Sequence, residues 1–305
     1  MDRRKFLKYQ ALGVFWVSTA GVASLTPEDS LAKPVPDIAV AKGAVVDATR
    51  AAVELLGGMK QFVKPGDKVV IKPNMSFASS PRYGSNTHPK VVRELVVMCK
   101  EAGASKISVL DHTLAPPDMC LKRSGIKRAC DAIEKGIVRS ANDYELYQDV
   151  PVKDGVTMTK TKILKEVVEA DVLIAAPAAK SHSSTGVSLS MKGMMGLIWD
   201  RRSMHWQGLD EGIVDICTVL KADLTVIDGS KVLSTNGPRG PGKVLKGDTI
   251  IASKDMVAAD AYTVTQFEWW GSKKEPGEIA HIQEAHNREL GRMDLENLTI
   301  QTVKV

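Results

Sequence analysis

Short apolar runs recur along the chain, and segments with helical spacing of apolar residues separate them. Strand character falls at Asp37 to Ala41, Asp67 to Ile71, Lys106 to Leu110 and Asp171 to Ala176, and again at Asp223 to Ile227, Thr249 to Ala252 and Leu298 to Val303. Asp47 to Leu56 reads as a helix, with Asp47 as its cap and Gly57-Gly58 as its stop. His88 to Ala102 reads as a second, with Pro89 in its first turn and Gly103 at its end. Helical spacing returns at Ser190 to Ile198, Leu209 to Leu220, Asp255 to Phe267 and Glu278 to Glu289. Residues 136 to 162 are mixed and hold Tyr144 and Tyr147. This alternation predicts an α/β fold, a mainly parallel sheet flanked by helices. Ligands of such sheets bind beyond the carboxyl ends of the strands.

The first residues stand apart from this pattern. Arg3-Arg4-Lys5-Phe6-Leu7-Lys8 is followed by an uncharged run from Ala11 to Leu25 and by Ser30-Leu31-Ala32. The run is shorter than the ~20 residues that a spanning helix needs. A basic start, a short apolar stretch and a small-residue cleavage site describe an export signal. The paired arginines resemble the twin-arginine type. The expectation is a signal over residues 1–32, one α/β domain over 33–305, a periplasmic location reached through the twin-arginine export machinery, and no stable membrane span after cleavage.

The formal charge is +5 over 305 residues, and aromatic residues make up 5%. That combination offers neither a basic stripe nor a stacking platform, so no nucleic-acid partner is expected. Cys99, Cys120, Cys130 and Cys217 show no C-x-x-C spacing, which argues against a zinc ribbon or a ferredoxin-type cluster within these residues. In an oxidising compartment they could pair, and buried free thiols fit equally well.

The chemistry-bearing residues follow the strands. Lys72-Pro73-Asn74 follow Ile71, Asp111-His112-Thr113 follow Leu110, Lys180 to Thr185 come shortly after Ala176, and Asp228-Gly229 follow Ile227. Lys72, Lys180 and Lys192, with Arg201 and Arg202 nearby in sequence, would hold a phosphate or carboxylate or stabilise developing negative charge. Lys72, Lys180, His182 and Lys192 are the candidate catalytic residues, and Asn74, His88 and Gly237 the candidate substrate contacts. Asp111, His112, His205 and Asp228 offer imidazole and carboxylate ligands to a divalent metal. No pair of histidines has helical zincin spacing, so such a site would have to be assembled from several loops. Each of these residues also has a structural reading: His88 could simply open a helix, and Asp228 could brace the turn at Gly229.

Other classes are disfavoured. There is no G-x-S-x-G elbow around Ser181, Ser183 and Ser184. The G-x-G-x-x-G signature is missing after the early strands. In Asn236-Gly237-Pro238-Arg239-Gly240-Pro241-Gly242 the prolines remove amide donors that a phosphate nest requires. That loop reads as a rigid lid or ligand-contacting segment. Met191-Lys192-Gly193-Met194-Met195-Gly196 reads as a stretch that opens close to a ligand.

Taken in order, Lys72-Pro73-Asn74, Thr87-His88-Pro89, Asp111, Lys180-x-His182, Lys192-x-x-x-Gly196, His205, Asp228-Gly229, Gly237-Pro238 and Asp255-x-x-Ala258-x-Asp260 resemble the family called "domain of unknown function 362". The resemblance runs from about residue 37 to 304. It implies an α/β domain whose polar motifs gather at one site. Many relatives carry an appended ferredoxin-like iron–sulfur module, which implies redox or cofactor chemistry within the family, and this chain is expected to act without one. Gly193 stands where relatives usually have Asn, which implies an altered contact here.

Three functional readings follow. The first is an exported metal- or cofactor-dependent enzyme acting on an anionic small molecule. The second is a non-catalytic periplasmic accessory to a redox partner protein. The third is a solute-binding protein.

Overall fold

The computed structural model describes residues 34–305. The expected export signal lies outside the described residues. Pro36–Val305 forms one compact unit.

The early strands are β1 (Ile38–Lys42), β2 (Lys68–Pro73), β3 (Lys106–Asp111) and β4 (Val138–Ser140). The middle of the chain gives β5 (Tyr147–Pro151), β6 (Lys160–Leu164), β7 (Val172–Ala176), β8 (Ala178–His182) and β9 (Gly186–Ser188). The last are β10 (Leu224–Leu233), β11 (Val244–Ser253) and β12 (Ile300–Lys304). The helices are α1 (Val45–Leu55), α2 (Pro89–Glu101), α3 (Pro117–Ser124), α4 (Ile126–Asp131) and α5 (Lys165–Val168). They continue with α6 (Ser190–Gly193), α7 (Arg201–Gln207), α8 (Leu209–Val219), α9 (Met256–Gln266) and α10 (Ala280–Asn287).

The 10-stranded sheet runs β12-β1-β11-β10-β7-β2-β3-β4, with β8 and β9 attached beside β10. β11 runs antiparallel to both its neighbours, β1 and β10, and the other pairs along this path are parallel. The predicted mainly parallel α/β fold is thus what forms. Alternate residues of each central strand feed opposite cores, as the two-residue period of a strand requires. Val172, Ile174 and Ala176 of β7 pack with α1 and α2 residues such as Val53 and Leu95. Leu173 and Ala175 pack on the other face with Ile213 of α8 and Val264 of α9. Burying each such large aliphatic side chain contributes roughly 1.5–3 kcal/mol.

Parallel register is set by aspartates at strand starts. Asp171 Oδ2 accepts the Lys68 amide at 2.8 Å, and Asp223 Oδ2 accepts the Leu173 amide at 2.8 Å. Asp67 to Pro73 and Asp171 to Pro177 look alike in sequence. They form adjacent strands, with Pro73 opposite Ala176.

Several local expectations need correction. α1 begins one turn earlier than read, with Ala44 at its N-cap and Asp47 inside its first turn. Residues after Pro177 form strand β8, held parallel to β10 and antiparallel to β9. Asp228 and Gly229 lie within β10, which continues to Leu233. Ser190 to Ile198 divides into α6 and a 3-10 turn over Met194–Leu197. α3 and α7 had no clear periodic signal. All four cysteines are buried and free. Among the described residues, no helix is long and apolar enough to cross a membrane.

Candidate functional site

The carboxyl ends of β2, β3 and β8 open onto a cavity of about 510 Å³. Its wall contains Lys72, Asn74, Asp111, His112, Lys180, His182, Lys192 and His205. Residues that the strands carry far apart in sequence are therefore brought together. β8 positions two of them by simple alternation. Lys180 and His182 share one face of the strand, and both line the cavity. Ser181 faces away and accepts the Gly237 amide through Oγ at 3.0 Å.

Lys72 and Asp111 end neighbouring strands. Lys72 Nζ sits 3.2 Å from Asp111 Oδ1, with both side chains buried. Asp111 Oδ1 takes no hydrogen bond, so the ammonium charge itself is what compensates it. Oδ2 accepts the Met75 amide at 2.9 Å and Ser76 Oγ at 2.8 Å. Lys72 also donates to its neighbour's carbonyl, Pro73 O, at 2.6 Å. Burial pulls the Lys72 ammonium below its usual range, and Asp111 opposes that shift. Gly196 closes over the pair: a Cβ there would lie 2.2 Å from Asp111 Oδ1 and 2.4 Å from Lys72 Cε.

Lys180 donates to Ser85 O at 2.6 Å and stands 5.2 Å from the Phe77 ring centroid. Burial lowers its pKa to about 7, with Lys72 and Lys192 adding repulsion against the attraction of Asp111. Lys192 rides on α6, whose first turn is pinned by buried Asp260. That carboxylate accepts the Ser190 amide at 2.9 Å and the Met191 amide at 3.0 Å. Burial and the nearby Arg201 bring Lys192 down to about 8.

Burial lowers the three histidines of the wall, His112, His182 and His205. His182 is pushed down to about 3, first by burial and then by Lys192 and Lys180. Its Nδ1 accepts the Ser184 amide at 3.1 Å, which leaves the proton on Nε2. His112 is also lowered, by burial and then by Arg201. Its Nδ1 lies 3.3 Å from Ile198 O, so that nitrogen carries the proton and Nε2 is the basic one. His112 stacks on Trp199, with ring centroids 5.2 Å apart. Arg201 Nη1 donates to His112 O at 2.9 Å. α7 thus brings Arg201, Arg202 and His205 to the wall, as Asp200 caps its first turn through the Ser203 amide at 3.1 Å.

His88, Gly237 and Asp228 lie outside the cavity wall. His88 caps α2: its Nδ1 accepts the Lys90 amide at 3.2 Å. Asp228 takes the His88 amide at 2.7 Å, the Ser230 amide at 3.0 Å and Ser230 Oγ at 2.6 Å. Gly237 lets the β10–β11 loop press on β8, since a Cβ there would meet Ser181 O at 1.9 Å. These residues shape the site by holding its backbone. The neighbouring Pro238 is the loop residue that reaches the cavity.

The metal reading finds no ligand cluster. Among the described residues, no group of three or more His, Cys, Asp and Glu is placed to hold a metal ion. Asp111 is committed to Lys72 and Ser76, and Asp228 to Ser230 and the His88 amide. Asp111, His112, His205 and Asp228 as arranged do not fit a metal centre.

Phe77, Trp199 and Ser76 join the wall without having been singled out in sequence. They sit in loops that carry no periodic signal. Asn74 Oδ1 accepts the Ala178 amide at 3.0 Å, which turns its amide nitrogen into the remaining donor. Gly193 lines the cavity, and the nearest atom to a Cβ built there is Pro177 Cβ at 4.0 Å.

Comparison with known proteins gives three findings. The family described as "Domain of unknown function (DUF362)" matches residues 69–265. The thylakoid-associated protein sll1697 of Synechocystis sp. is 27% identical over 226 residues, covering 72% of this chain and 68% of that protein. The lactate racemase apoprotein of Thermoanaerobacterium thermosaccharolyticum aligns with a TM-score of 0.46 and 14% identity, covering 75% of this chain. This chain spans 57% of the length of that racemase. The matched family segment contains Lys72, Asp111, Lys180, His182 and Lys192 and most of the strands that carry the cavity. This chain belongs to the DUF362 family.

Proposed function

We propose that the cavity binds an anionic small molecule and transfers protons on it. The observation that carries this reading is the charge inventory of the wall. Lys72, Lys180, Lys192, Arg201 and Arg202 face a space whose carboxylates are Asp111, already held by Lys72, and Asp200, which caps α7. An anion entering there meets uncompensated positive charge in a desolvated setting, where electrostatic attraction is strongest. Lys180, at about 7, is poised to exchange a proton near neutral pH. His112 Nε2 supplies a second base, and His182 Nε2–H a donor. The cations would stabilise negative charge that develops as a proton leaves a carbon or oxygen acid.

Two measurements test this. Calorimetric titration with orthophosphate and with small 2-hydroxy and 2-oxo acids should give binding, and Lys180→Met should weaken it at least tenfold. Incubation in deuterium oxide, followed by proton NMR, should reveal exchange of hydrogens next to the carboxylate. Binding without exchange would favour the solute-binding or accessory reading. Absence of binding by every anion would overturn the proposal.

The paired arginines at Arg3-Arg4 support export of the folded chain to the periplasm. Cell fractionation of the full chain and of its Arg3→Lys/Arg4→Lys variant tests this. Equal periplasmic recovery of both would sink the twin-arginine route.

A further inference from the structure

A second cavity, of about 700 Å³, adjoins the first. Phe77 and Leu114 line both. Three chain segments pass from one to the other. Ser76 and Phe77 belong to the first cavity, and Phe77 to Ser79 to the second. The segment after β3 likewise continues through Leu114 to Pro116, and the β10–β11 loop continues from Pro238 to Pro241. Backbone bonds tie these walls together: the Leu114 and Ala115 amides both donate to Ser76 O, at 3.0 and 3.1 Å. The Asn86 amide nitrogen donates to Phe77 O at 2.8 Å and to Ser79 O at 3.0 Å.

The chemistry changes along this path. The shared boundary and the floor of the second cavity are apolar. Leu114 is 64% exposed, Met119 42% and Tyr83 38%, a concentration of large apolar side chains that a surface does not ordinarily leave together. Arg123 and Arg239 also line this cavity, and no carboxylate does. Among the described residues, neither guanidinium forms an ion pair with a carboxylate. Arg123 donates only a long 3.4 Å bond, to Ala78 O.

We propose that the natural ligand is an elongated molecule with an anionic group at each end and an apolar middle. One end enters the lysine-lined cavity, the middle lies across Phe77 and Leu114, and the far anion meets Arg123 and Arg239. This rests on the reading of the first cavity as an anion site and extends it to the class of ligand. Apolar contact along the bridge and a guanidinium at the far end would supply the discrimination between short and long anions.

The test is calorimetric titration of the full chain with three probes: orthophosphate, monocarboxylates of six to ten carbons, and straight-chain α,ω-dicarboxylates of the same lengths. A long dicarboxylate is expected to bind at least tenfold tighter than the monocarboxylate of equal length. Arg123→Gln/Arg239→Gln should remove that advantage and leave orthophosphate affinity unchanged. Met119→Asn, in the wall of the second cavity alone, should weaken the long dicarboxylates and again spare orthophosphate. These residues are exposed, so the variants are expected to fold. Equal affinity for mono- and dicarboxylates at every length, with orthophosphate still bound, would overturn this inference alone. Failure of the wild-type chain to bind any of the three probes would overturn both readings together.

Discussion

Lys72 Nζ and Asp111 Oδ1 lie 3.2 Å apart at the carboxyl ends of two adjacent parallel strands, and both side chains are buried. A buried pair of this kind is worth little against an apolar replacement of both partners, yet losing one partner strands the other's charge. Lys72→Met is therefore expected to destabilise the fold by about 3–5 kcal/mol. Lys72→Met/Asp111→Asn should cost less than the two single changes added together, with a coupling of roughly 1 kcal/mol or more. Urea unfolding of the four proteins in this cycle measures it. Strict additivity would mean that the contact carries no energy.

Two glycines of one segment should respond oppositely. Gly196→Ala would drive a methyl into Asp111 and Lys72, at 2.2 and 2.4 Å. A loss of several kcal/mol or a failure to fold is expected, as for other overpacked buried sites. Gly193→Ala meets no atom closer than 4.0 Å and should leave the melting temperature within a few degrees of wild type. Thermal unfolding followed by circular dichroism compares them.

Anion affinity should fall as pH rises. Lys180 is held at about 7 and Lys192 at about 8. Both are cationic below those values and neutral above them. Orthophosphate should bind most tightly near pH 6.5 and lose affinity between pH 7 and 9, beyond any change due to its own ionisation. A phosphonate probe with both pKa values below 6 would remove that complication. In Lys180→Met the loss should shrink and shift toward pH 8. A flat profile in the wild type would show that these amines do not face the ligand.

Stability should move in the other direction. Lys180 titrates at about 7 in the folded chain, against an ordinary value of 10.5. Between these values the unfolded chain holds the extra proton, so stability rises with pH across that window. Below about 7 the full penalty of the buried charge applies. His182, at about 3 against 6.5, gives the same sign at lower pH: stability falls as the solution is acidified from 6.5 toward 3. His182→Gln should flatten that acid slope, and Lys180→Met the alkaline one. Urea midpoints measured from pH 4 to 10 resolve the two.

Asp255 should act as a structural brace: it caps α9, and its Oδ2 accepts the Arg292 amide at 2.8 Å. Its Oδ1 accepts the Val257 amide at 2.8 Å and the Ala258 amide at 3.1 Å at the start of α9. Asp255→Ala should cost about 1 kcal/mol, with orthophosphate affinity unchanged. A tenfold loss of binding would place it in the site's support.

The strands that most shape the cavity were legible where apolar runs broke into lysine or aspartate, as at Ile71-Lys72 and Leu110-Asp111. β8 was not, because Ala178-Ala179-Lys180-Ser181-His182 has no β-branched residue. Its strand form comes from pairing with β10 and β9. The sequence also could not tell a polar group that meets the ligand from one that meets the backbone. Asp111 and Asp228 both follow buried strands, yet only Asp111 reaches the cavity. Asp228 spends its oxygens on the His88 and Ser230 amides and on Ser230 Oγ. α7 lacked a visible apolar stripe, since it is a short cover whose Arg201 turns inward while Trp206 is 89% exposed.

The position of β1 bears on how the chain assembles. β1 lies between β11 and β12, with Ile38 opposite both Ser253 and Ile300. Asp37 Oδ2 accepts the Thr299 amide across a separation of 262 residues. An early segment therefore waits for nearly the whole remaining sequence before its backbone groups find partners. Closing a loop that long adds little to equilibrium cost, which grows only logarithmically, but it weighs heavily on rate. This edge of the sheet completes late, after synthesis has delivered the final strand. Until then the edge of β1 that faces away from β11 has no strand partner and is open to association with other chains.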